Sequence, residues 1–147
     1  MNDHPTHLLD EAECWDLLRA HPVGRLAVDI AGQPDIFPVN YIVTRQFDDA
    51  DTIVFRSGPG TKLAGAILNG YVALEIDGHD ADAGVVWSVV VKGRAAEIQR
   101  MDERFAAEDL PLFPWIDTPK PSIVKITPTS VTGRRFDVAD PSVLGPS

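Results

Sequence analysis

Glycine, proline and acidic turns cut this chain into β-branched runs that lie too close together for helices to connect them. Residues 24–30 and 36–43 both read as strands, and only Ala31-Gly32-Gln33-Pro34 and Asp35 separate them. That spacing makes a hairpin. An acidic turn over 46–51 leads to a third strand at 52–56, and further runs follow at 71–77, 85–98, 122–127 and 130–137. Hairpin links demand antiparallel neighbours and argue against a parallel, doubly wound sheet. Pro38 lacks a ladder donor, so it marks an edge or a bulge, and Gly93 marks a bend in the 85–98 run. Three short helices fit between these runs. The first spans 10–20, with Asp10 and Glu13 spaced as a capping box and His21-Pro22 as its stop; the others span 61–68 and 101–109. Residues 78–84 read as a polar loop and 110–121 as an irregular connection, and frayed tails are expected at about 1–8 and 139–147. The expectation is a single domain, mainly β with short helices (α+β), whose strands close into an antiparallel barrel.

Composition limits what such a barrel can do. The 147 residues are 44% hydrophobic, enough for one packed core. The net charge is −9, with 22 acids against 13 Lys and Arg, which argues against nucleic acid as a partner. No apolar run reaches the roughly 20 residues of a membrane helix, and the first residues lack a signal-peptide pattern. The one cysteine, Cys14, sits on an apolar helix face and reads as a buried, inert thiol. Together these features suggest a cytoplasmic protein. The four histidines, His4, His7, His21 and His79, are not at metal-ligand spacing, so no metal is expected.

In an acidic chain the few cations are informative. They concentrate in Phe55-Arg56-Ser57-Gly58-Pro59-Gly60-Thr61-Lys62, where a strand ends in arginine, a glycine loop follows, and threonine and lysine open a helix. A helix N-terminus carries unpaired N–H groups and partial positive charge. Ser57 and Thr61 add hydroxyl donors, Arg56 a two-pronged guanidinium and Lys62 a point charge, a set suited to a phosphate monoester. The same residues also make sense as a turn with an N-cap.

The order of several strings settles more than any one of them. Gly24-Arg25-Leu26-Ala27, then Pro38-Val39-Asn40-Tyr41, then Phe55-Arg56-Ser57 with Gly60-Thr61-Lys62, then Trp87-Ser88-Val89 and Gly133-Arg134-Arg135-Phe136 together resemble the pyridoxamine 5′-phosphate oxidase-like family, in its short branch with the nitroimidazole-resistance-type proteins. The likeness runs over about residues 10–137. It implies a six-stranded split β-barrel that forms a homodimer and binds FMN between the two chains. It also implies roles: Pro38, Val39, Asn40 and Tyr41 along the flavin ring; Phe55, Arg56, Ser57, Thr61 and Lys62 around the phosphate; Trp87 and Ser88 approaching from the second subunit; Arg134 or Arg135 closing the site, with Arg135 preferred. The chain lacks the longer C-terminal motifs with which the oxidase itself recognises pyridoxamine phosphate.

No acid–base pair or Ser-His-Asp order stands out, so any redox chemistry would belong to the cofactor. The resemblance therefore points to a flavin-dependent oxidoreductase acting on a small organic molecule. Two alternatives use the same fold: a reductase using a deazaflavin coenzyme, with Arg25, Lys92 and Arg94 lining a basic groove, and a non-enzymatic flavin-, haem-binding or regulatory module.

Overall fold

The computed structural model describes residues 6–57, 70–98 and 122–145. The expected helices at 61–68 and 101–109 and the connection 110–121 lie outside the described residues. In chain order the elements are β1 (Thr6–Leu9), α1 (Glu11–Ala20), β2 (Val23–Ile30), β3 (Gln33–Thr44), β4 (Thr52–Ser57), β5 (Tyr71–Asp80), β6 (Val85–Glu97), β7 (Ser122–Asp137) and a 3₁₀ turn at Pro141–Leu144.

All strand pairs are antiparallel. The order β7-β4-β3-β2-β5-β6 closes because β6 pairs back onto β7, giving the expected six-stranded barrel. Ala31 and Gly32 both take positive φ, 53° and 83°, the geometry of a two-residue hairpin turn that matches strand twist. The turn is thus shorter than the sequence suggests, and β3 starts at Gln33, pairing with Ile30. Its two prolines are tolerated for one reason. Tyr41 N–H donates to Pro22 O on the β2 side, so alternate residues, Pro34 and Pro38 among them, direct their nitrogens away from β2. Residues 33–40 pair with β2 alone, and β4 joins only at Tyr41–Thr44. Pro38 therefore marks an edge, without a register shift.

Three expectations change. Residues 6–9 are not a frayed tail: β1 pairs with β7, Thr6 opposite Phe136 through Leu9 opposite Gly133. β5 runs on to Asp80, so the polar loop shrinks to a turn over 81–84. The C-terminal runs 122–127 and 130–137, readable as one strand or a pair, are one strand, β7, because Pro128 sits beside a bulge. Lys92 faces Ser130 while Gly93 faces Pro128, which leaves Thr129 unmatched, and the Thr129 hydroxyl donates to Lys92 O (3.1 Å).

Alternate residues of β2, β5 and β6 fill the barrel, among them Leu26, Leu74, Ile76, Val89 and Val91, and α1 closes one end with Cys14, Trp15 and Leu18. The capping box is formed: Asp10 Oδ1 accepts from Glu13 N at 2.8 Å, and Glu13 Oε1 from Asp10 N at 3.5 Å. Where β6 meets the β7 bulge, a Cβ at position 93 would strike the Thr127 carbonyl and lie 2.9 Å from Pro128 Cα. These are backbone atoms with nowhere to go. Gly93→Ala should therefore cost at least the roughly 1–3 kcal/mol of an overpacked core, read as a lower denaturant midpoint at constant slope.

Candidate functional site

The barrel opens where β3 parts from β4. Their ladder ends at Tyr41 opposite Phe55. One further step would set Asn40 against Arg56 and Val39 against Ser57, but the β3–β4 ladder does not extend that far. Instead β4 pairs on its other side with β7, Arg56 opposite Ile123 and Ser57 opposite Ser122. The two segments singled out in the sequence thus meet at one fork. Pro38, Val39, Asn40 and Tyr41 form one prong; Phe55, Arg56 and Ser57 form the other. Thr61 and Lys62 lie outside the described residues.

Burial sorts these side chains. Phe55 is fully buried, Tyr41 and Val39 nearly so, and Ser57 is 7% exposed. Phe55, Val39 and Tyr41 pack into the core, and the main-chain N–H of Tyr41, like that of Val39 two residues before it, is directed at the β2 side rather than at the fork. Arg56 is half-buried and Pro38 exposed. Tyr41's hydroxyl donates to Leu18 O at 2.8 Å, and burial pushes its phenol well above the usual range. Asn40 Nδ2 donates to Pro22 O at 2.7 Å, the same carbonyl that takes Tyr41 N–H. The Asn40 amide is thus a brace between β3 and the segment after α1. The β3 edge beyond it is poor in donors: Pro34 and Pro38 have none, and Ile36 N–H turns to Asp35 Oδ1 (2.9 Å). It is an edge of carbonyl acceptors.

Trp87 and Ser88 are neighbours on β6 and so point to opposite faces. Directly paired residues share a face. Trp87 therefore goes with Gly78, Arg135 and His7, and Ser88 with Asp77, Arg134 and Leu8. The indole lies where a side chain at 78 would be, 2.6 Å from the position of a Cβ. Its other neighbour is the His21 ring, 4.8 Å between centroids at 56°. Trp87 is thus held within its own chain, and Arg135 rather than Arg134 stands on its side of the sheet. A ligand on one face of the sheet meets the side chain of Trp87 or of Ser88, not both. His7, read as part of a flexible tail, pairs with Asp137 at 3.4 Å beside Arg135.

The outer face carries Val23, Arg25, Ile36, Pro38, Glu75 and Val90. Arg25 bridges Glu75 (2.8 Å) and Asp77 (3.1 Å). Burial, then the Asp77 carboxylate, raises the Glu75 pKa against the lowering pull of Arg25. Arg94 stacks on Tyr71 at 4.7 Å. Of the three cations expected to line a basic groove, one is outweighed by two acids and another lies against a ring. Cys14 is buried, and burial raises its thiol, as expected of an inert core sulfur. Among the described residues no group of His, Cys, Asp and Glu has the makings of a metal site, and no helix is long and apolar enough to cross a membrane.

Sequence reasoning missed His21, Pro22 and Gly78. His21-Pro22 registered only as a helix stop, and Gly78 only as loop; nothing local shows that one packs its ring against Trp87, one braces Asn40 and one makes room for the indole.

This geometry has close counterparts. The uncharacterized protein Rv0080 of Mycobacterium tuberculosis is 33% identical over 137 residues, 90% of this chain and 86% of its own. The FAD binding protein from Mycobacterium smegmatis superposes with a TM-score of 0.78 at 36% identity, covering 90% of this chain and all of that one. A Bacteroides thetaiotaomicron protein of the 5-nitroimidazole antibiotic resistance type shares the fold, with a TM-score of 0.72 at 18% identity over 92% of this chain and 90% of that one. Residues 10–135 match the family described as pyridoxamine 5′-phosphate oxidase, and with the split barrel and its fork in place the chain belongs to that family.

Proposed function

We propose that this protein binds a flavin nucleotide at the β3–β4 fork, in a cleft completed by a second copy of the chain, and works as a flavin-dependent oxidoreductase on a small organic molecule. The observation that carries the reading is the fork itself: a strand edge of carbonyl acceptors on one prong and Arg56 with Ser57 on the other. The donor set fits the group. The edge suits the N3–H of an isoalloxazine ring, and Arg56 suits its phosphate. When bound, the flavin supplies hydride chemistry. The chain's own residues bind and orient: Asn40 and Tyr41 hold the β3 prong against Pro22 and Leu18, and β7 holds the β4 prong. FMN and FAD both present a phosphate to Arg56. The sequence favours FMN, while the M. smegmatis relative is an FAD binding protein. A deazaflavin reading gains no support from Arg25, which its two acids neutralise.

The outer face supports a second copy. Leu8 is 80% exposed, Ile36 64% and Val23 39%. Val23, Ile36 and Pro38 are exposed apolar side chains on the β2–β3 side of that face, beside the Arg25–Glu75–Asp77 cluster, and a C2 partner would cover them. One preparation tests both parts. Light scattering at micromolar concentration should give twice 16.0 kDa. Denaturation should release a yellow chromophore, which chromatography then identifies as FMN or FAD. A monomer that takes up neither flavin overturns the reading.

A further inference from the structure

Between the end of α1 and β3 lies an open cleft of about 570 Å³, lined by Leu18–Pro22 and Tyr41–Thr44. The volume is in the range of small-molecule sites, roughly 300–1,000 Å³. Its walls are mostly apolar: Leu18, Ala20, Pro22, Ile42 and Val43. His21 is the titratable group that the proposed flavin site does not use. Its Nδ1 lies 2.8 Å from Leu17 O. A carbonyl can only accept, so Nδ1 carries a proton, and in the neutral form of the ring the lone pair is on Nε2. Among the described residues Nε2 has no hydrogen-bond partner.

We propose that this cleft is a binding subsite for a small uncharged hydroxyl compound, whose O–H donates to His21 Nε2 while its carbon skeleton lies on the apolar wall. Each part of that ligand class has a cause. The neutral tautomer offers an acceptor, so the ligand must bring the donor. The wall asks for apolar surface. Anions are disfavoured, because the negative end of the α1 dipole faces the cleft and Arg19 is already held by Asp51 (2.7 Å) and Asp16 (3.5 Å). The ring is also held in place: Leu17 O holds one edge and the tilted Trp87 ring packs against it. The cleft shares Tyr41 with the β3 prong, so a molecule bound here sits beside the proposed flavin site. The subsite itself rests on the cleft and not on the flavin reading.

The probe is phenol, with toluene as its counterpart lacking the donor and benzoate as the charged one. Imidazole nitrogen NMR of the protein as purified, at a pH where the ring is neutral, should show His21 protonated at Nδ1. Phenol should then shift Nε2 and the amides of residues 18–22 and 41–44. Toluene should bind about 2- to 10-fold more weakly, the effect of one neutral hydrogen bond, and benzoate more weakly still. His21→Phe keeps a ring against Trp87 and removes the nitrogen, and should bring phenol down to the toluene level. Equal binding of phenol and toluene by the unaltered protein, or shifts confined to other residues, overturns the proposal without recourse to any variant. Those outcomes leave flavin content untouched, and a protein that binds phenol at His21 but no flavin fails only the flavin reading.

Discussion

Arg56→Ala should lower FMN affinity by about 10- to 150-fold and leave riboflavin affinity nearly unchanged. Arg56 lies on the β4 prong between the buried Phe55 and Ser57, so its backbone is fixed by the core on one side and by the β7 ladder on the other. Its half-buried side chain works in a medium less polar than water, where a charge-assisted contact to phosphate is worth roughly 1.5–3 kcal/mol. That range converts directly to the expected loss in affinity. Lys62→Ala should behave likewise if its ammonium serves the same phosphate, as the sequence resemblance implies. Flavin fluorescence titration measures both ligands. Should FMN and riboflavin weaken alike, Arg56 supports the barrel and not the phosphate.

Phe55→Ala should destabilise the fold by about 3–5 kcal/mol, as loss of a fully buried aromatic does. At about 3 °C per kcal/mol for a chain of this size, Tm should fall by roughly 10–15 °C. Phe55 is 0% exposed and faces Tyr41 across the last rung of the β3–β4 ladder. Removing the ring therefore loosens the base of the fork, and flavin affinity should follow stability. Phe55→Leu, which keeps most of the volume, should recover much of both. An unchanged Tm with lost flavin would mean that the ring touches the ligand directly.

The paired predictions reflect what adjacent residues in one string do. Sequence resemblance groups Phe55, Arg56 and Ser57 as one phosphate-binding unit. Burial gives Phe55 to the core and leaves Arg56 at the fork. Trp87 and Ser88 divide in the same way, since the two-residue period of a strand sends them to opposite faces.

What the sequence determined by itself is whatever a few neighbouring residues can complete. The capping box of α1 closes within four residues, from Asp10 to Glu13. The β2–β3 hairpin needs only Ala31-Gly32, and Pro38 by itself limits β3 to an edge or a bulge at that point. The family resemblance also implied that Asn40 and Arg56 lie near each other, and their segments do meet where the β3–β4 ladder ends. Tertiary structure decided what depends on partners far along the chain. β1 exists because Leu9 and its neighbours find β7 more than a hundred residues away, and four residues hold no local pattern that says so. β7 stays one strand through Pro128 because Gly93 on β6 leaves room for the bulge. His21 became a candidate ligand-binding group only when folding set it beside Trp87, Leu17 O and a cleft. Local hydrogen bonds and steric preferences act over a turn of chain, whereas strand partners, faces and cavities form only when distant segments pack.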